Sequence, residues 1–146
     1  MAAIELIPFI PESANYRIWH PVDFLTNEDE DGIVTLTSPI NDINLTLSCY
    51  YANTILNESD LLNFFADRTI NYNPASELKS VITDSKIWIE RDFLNNNIHW
   101  IWHALSNEDQ IILASINSNF FLPPEERHLF TFMLDKMEIY PSQDND

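Results

Sequence analysis

Ser85-Lys-Ile-Trp-Ile-Glu-Arg-Asp-Phe93, Asn97-Ile-His-Trp-Ile-Trp-His-Ala-Leu105 and Gln110-Ile-Ile-Leu-Ala-Ser-Ile116 follow one another almost without interruption. Each run is rich in Ile and Trp, residues that suit a pleated, half-buried strand. The breaks between them, Leu94-Asn-Asn-Asn97 and Ser106-Asn-Glu-Asp109, have the composition of hairpin turns. The stretch therefore reads as a three-stranded antiparallel meander on which the rest of the chain packs.

Four-residue connections set Phe93 opposite Ile98 and Leu105 opposite Gln110. Because side chains alternate along a strand, one face then carries Ile87, Ile89, Arg91, Trp100, Trp102, Ala104, Ile111, Leu113 and Ser115. The other carries Trp88, Glu90, Asp92, His99, Ile101, His103, Ile112, Ala114 and Ile116. The first is expected to be the better core face. The second is mixed, so a helix or a partner is expected to cover part of it, and Trp88, Glu90, Asp92, His99 and His103 form one candidate partner surface. On a strand His99 and His103 stand roughly 13 Å apart, too far to share a zinc ion. They read as two half-exposed sheet histidines, with Asp92 near His99.

Before the meander, residues 1–15 are broken by Pro8 and Pro11 and read as an arm rather than a regular element. Tyr16 to His20, Ile33 to Thr37 and Ile43 to Tyr51 read as strands. Between the first two lies Asn27-Glu-Asp-Glu-Asp-Gly32, which contains the only glycine of the chain. Asp-Gly there marks a turn that needs a positive φ. Its spacing matches a calcium loop at Asn27, Asp29, Asp31 and Gly32, but the last ligand position is Ser38 instead of a bidentate Glu. No metal is expected, and Glu28, Asp29, Glu30 and Asp31 form a second candidate partner surface. Asn57 caps a helix with acids in its first turn, expected to run to Tyr72 ahead of Pro74. Residues 74–84 fit either a short helix or the beginning of the first meander strand.

After the meander, Phe120-Phe-Leu precedes Pro123-Pro124-Glu125-Glu126, a helix opening. Glu126, Leu129, Phe130, Met133 and Met137 then share one helical face. Pro141 closes it, and residues 142–146 are expected to be mobile.

Charge narrows the functional classes. The 146 residues hold 23 Asp and Glu against 7 Lys and Arg, a formal net charge of -16. Nucleic acid and membrane surfaces are poor partners for such a chain, and a basic protein is the expected one. Cys49 is the only cysteine, which excludes an intrachain disulfide, and its apolar neighbours predict a buried strand thiol. The opening Met-Ala-Ala-Ile-Glu-Leu-Ile-Pro has no basic n-region and is too short to span a membrane, so a cytoplasmic location is expected. A chain with one glycine cannot build a phosphate loop, a dinucleotide fingerprint or a Gly-x-Ser-x-Gly elbow. No catalytic residue and no cofactor are predicted.

The order of elements is a strand at Tyr16-Arg-Ile-Trp-His-Pro21, two more strands, a helix, the meander and a last helix ending in Met137-Glu-Ile-Tyr-Pro141. It resembles the PsbP/DcrB-like superfamily of compact α/β/α domains. The resemblance implies an antiparallel sheet flanked by helices and a non-catalytic binding or assembly role, with no shared active site to carry over. The expectation is thus α+β: a single antiparallel sheet with two or three flanking helices, in one domain over 1–146 with its core at 16–141. Its expected function is an acidic protein-interaction domain of the immunity, inhibitor or assembly-factor kind. The alternative is a small-ligand binder or hydrolase with a pocket between sheet and helices, lined by Trp88, Trp100, Trp102 or Tyr side chains.

Overall fold

The computed structural model describes residues 4–40, 42–83, 86–119 and 121–140. The expectations for Ser85, Phe120 and the 142–146 tail fall outside them. In chain order the elements are β1 (Leu6–Phe9), β2 (Tyr16–Pro21), β3 (Leu25–Glu28), β4 (Val34–Thr37), β5 (Asn44–Tyr51) and α1 (Glu58–Arg68). There follow β6 (Lys79–Ile82), β7 (Ile87–Asn95), β8 (Ile98–Asn107), β9 (Gln110–Ser118), α2 (Pro124–Lys136) and β10 (Glu138–Ile139).

The meander is present as β7, β8 and β9, but both its connections are tighter than expected. Asn95 pairs with Ile98 and Asn107 with Gln110, leaving two-residue turns at Asn96-Asn97 and Glu108-Asp109. Asn96 and Asn97 both take positive φ, at 51° and 64°, the backbone that matches strand twist in a two-residue hairpin and that Asn tolerates. Phe93 consequently lies opposite Trp100, and Leu105 opposite Ile112. Each register moves by two residues, one full side-chain period, so both faces keep their predicted membership.

The single sheet expected from the sequence is in fact two. A seven-stranded antiparallel sheet runs β3-β4-β5-β9-β8-β7-β6, and a separate three-stranded sheet runs β1-β2-β10. The N-terminal arm is therefore partly a strand. Pro8 is accommodated because β1 is an edge of the small sheet, where a missing N–H costs no ladder bond. The ambiguous stretch at 74–84 holds β6, whose four residues are all exposed, so it carries no alternation that could declare it a strand.

Helix α1 begins as predicted, with a full capping box between Asn57 and Asp60. It ends at Arg68 rather than near Tyr72. Thr69 closes it by bonding the Phe65 carbonyl through both its N–H and its Oγ1, and the freed chain swings Tyr72 edge-on over Trp100 and Trp102.

The better core face is the mixed one, contrary to expectation. It packs Ile101, Leu105, Ile112, Ala114 and Ile116 against Phe130, Met133, Leu134 and Met137 around α2, and against Tyr16, Ile18 and Ile139 of the small sheet. The opposite face has a smaller cluster, in which Leu61 and Phe65 of α1 meet Ile89, Phe93, Ala104, Ile111 and Leu113. The reason lies in β4 and β5, which turn Val34, Leu36, Leu45 and Leu47 toward the larger cluster. Thr35, Thr37 and Thr46 are left on the side away from it.

Candidate functional site

Strands β7 and β8 bring together the five residues of the second face that the sequence singled out, and α2 adds a sixth. Glu90 lies opposite His103 across the ladder. Arg127, one turn into α2, reaches down to both carboxylates of β7. Its Nη1 and Nη2 donate to the two oxygens of Asp92 at 2.7 Å each, and Nη2 donates to Glu90 Oε2 at 2.8 Å. The bidentate fork matches the carboxylate plane, which gives the pair direction as well as charge.

Burial pushes the Asp92 carboxyl up, but the hydrogen bonds and positive charge of Arg127, with the hydrogen bond from His99, outweigh it and hold the group well below the usual carboxylate range. The bonds from Asp92 and Glu90 in turn raise Arg127. One guanidinium thus bridges the two β7 acids and offsets half of their charge inside the protein.

Both histidines are buried, at 3% and 1% exposure, not half-exposed as expected. The cause is the cover supplied by α2 and the residues leading into it. Asp92 does lie beside His99, with Oδ2 2.9 Å from Nε2. The backbone N–H of Leu122 donates to His99 Nδ1 at 3.0 Å, so that nitrogen is the acceptor and Nε2 carries the proton given to Asp92. No free lone pair is left on the ring to take a proton from a substrate. Trp88 Nε1 likewise donates to His103 Nδ1 at 3.0 Å. Burial disfavours a charged ring there and pulls His103 down to about 4, so the ring is neutral at pH 7. What this arrangement does chemically is clamp α2 to the sheet and keep the His103 ring neutral.

Arg127 was missed by the sequence reading, although a signal existed. It precedes Phe130 and Leu134 by three and seven residues, so a cation sits on the buried stripe of the helix. A charge on such a stripe calls for counter-charges below it, and Glu90 and Asp92 are on the strand face it meets.

The second candidate surface is elsewhere. Strand β3 is five places from β7 in the sheet order, roughly 24 Å at the usual strand spacing. Within the β3–β4 loop Asp29 Oδ1 accepts from the N–H groups of Asp31 and Ile33, both at 2.9 Å, and Gly32 has φ 83°. The oxygen that a calcium loop would offer is committed to the turn. Glu28 accepts the N–H of Glu12 through both oxygens, tying the loop to the β1–β2 connection. Glu30 and Asp31 are exposed. Cys49 is half-buried, accepts a hydrogen bond from Gln110 and is pushed up by burial, which makes it a poor nucleophile. Over Trp100 and Trp102 the Tyr72 ring packs at 5.3 and 5.2 Å, occupying space in which a ligand pocket was envisaged. Among the described residues no helix is long and apolar enough to cross a membrane.

No protein-family profile and no characterised protein sequence matches this chain. Solved structures do. Cyanobacterial PsbP (CyanoP) from Synechocystis sp. PCC 6803 superposes with a TM-score of 0.68 at 12% identity, covering 95% of each chain. A protein from Bacteroides thetaiotaomicron VPI-5482 superposes with a TM-score of 0.62 at 13% identity over 95% of this chain, which spans 49% of that one. On these superpositions the chain has a PsbP-like fold.

Proposed function

We propose that this chain is a non-catalytic binding domain whose acidic surface receives a basic protein partner. The carrying observation is the charge that remains after internal pairing. Seven bases stand against 23 acids. Several of the bases are engaged within the fold: Arg127 with Glu90 and Asp92, Arg17 with Glu138, Arg91 with the Ser76 carbonyl, Lys86 with the Asp135 carbonyl and Arg68 over the Tyr50 and Phe64 rings. A net charge of -16 has no cations left to match it and meets solvent. Such a surface raises the encounter rate with a positive protein and repels nucleic acid. Burial of both histidines, with both ring nitrogens of His99 already bonded, speaks for binding over acid–base chemistry. An immunity, inhibitor or assembly-factor role is the form of such binding proposed for this chain.

The test is kinetic. A partner recovered by affinity capture is mixed with the protein in stopped flow at rising salt. The association rate is expected to fall by about tenfold or more as the Debye length shrinks from about 10 Å toward 3 Å. A rate indifferent to salt rejects the proposal.

A further inference from the structure

Resting on that reading, we infer that the basic partner is received as an amphipathic segment, in the groove between the β2–β3 connection, the β4–β5 connection and the start of α2. The groove encloses about 450 Å³. Its walls include Ile4, Val22 and Ile40, which are 63%, 54% and 60% exposed, with Phe24 and Leu129 beneath. Surface Ile and Val in such a concavity gain by being covered, at about 25 cal/mol per Å² of apolar area removed from water.

Four carboxylates border the same groove: Glu5, Asp23, Glu125 and Glu126. No lysine or arginine is among its described lining residues, and Arg127, adjacent in the chain, is turned to Glu90 and Asp92 instead. Glu125 and Glu126 also serve the first turn of α2, whose positive end favours acids. That accounts for two of the four and leaves Glu5 and Asp23 without such a reason. An apolar ligand settling here would desolvate carboxylates with nothing in return. A segment with apolar side chains flanked by Lys or Arg fills the concavity and answers each carboxylate, whereas an anionic lipid surface is repelled.

The test uses a synthetic amphipathic Leu/Lys peptide and a Ser/Lys control of equal charge, titrated at low salt into the 15N-labelled full chain. The Leu/Lys peptide is expected to shift the amides of Val22, Phe24, Ile40 and Leu129. Val22→Ser with Ile40→Ser should weaken it by at least about tenfold, 1.4 kcal/mol, while leaving the control unchanged. Both positions are exposed, so the variant is expected to keep the wild-type melting temperature, which is measured alongside. Shifts centred on Glu28 to Asp31, with no effect of the double variant, overturn the groove and leave the acidic-surface reading standing. Absence of binding by either peptide overturns both.

Discussion

Removing Arg127 tests the central electrostatic contact of the fold. Its guanidinium makes three bonds of 2.7–2.8 Å to Asp92 and Glu90, whose side chains are 14% and 15% exposed. Arg127→Ala leaves two carboxylates close together in a poorly hydrated place without a counter-charge. Breaking a buried pair from one side costs about 3–5 kcal/mol, and the partial exposure of this one sets the expectation at the lower end, about 3 kcal/mol. For a chain of this size that lowers the melting temperature by roughly 6–12 °C. Urea denaturation at pH 7 gives the free energy directly. The cost comes from stranded charge, so adding Glu90→Gln and Asp92→Asn to the Arg127→Ala protein should restore most of it, a coupling that a double-mutant cycle isolates. A single variant within about 1 kcal/mol of wild type, or a combined variant no better than the single, refutes the reasoning.

Two further perturbations test a buried histidine and a helix cap. Burial pulls His103 from 6.5 down to about 4, so between those values the unfolded chain takes up a proton that the folded chain refuses. The stability present above pH 6.5 is therefore lost as pH falls through this window, by about 3 kcal/mol, and His103→Gln should flatten that part of a pH series of denaturation curves. Asn57→Ala removes the cap bond to the Asp60 N–H, 2.8 Å long, and should cost about 1 kcal/mol by urea denaturation, with Asn57→Ser close to wild type.

Much of the fold was legible because local periodicity carries it. The meander turns were misjudged by two residues each, yet the faces survived, since a shift of two is a whole period of a strand. Asn57 and Pro123-Pro124 announced both helices through chemistry that acts within one turn. The small sheet was hidden for the opposite reason. Its third strand, β10, lies at the other end of the chain from β1 and β2 and is two residues long, too short to show a period. The candidate site divided in the same way. Alternation put Glu90, Asp92, His99 and His103 on one face with Asp92 near His99, but the expected register set Glu90 opposite Ile101, and only the tighter turn brought it opposite His103. No local rule said that Arg127 would close over them.

The sequence by itself determined the three-strand meander, the membership of its two faces, the two helix starts, and a net charge of -16. Those properties depend on neighbouring residues or on simple sums. Only the tertiary structure decided that there are two sheets, that the mixed face is the deeper core, and that both histidines are buried. Each of these depends on which distant element covers a face. A histidine on a strand is half-exposed or buried according to a helix some twenty residues further on, and nothing within its own strand records that helix's arrival.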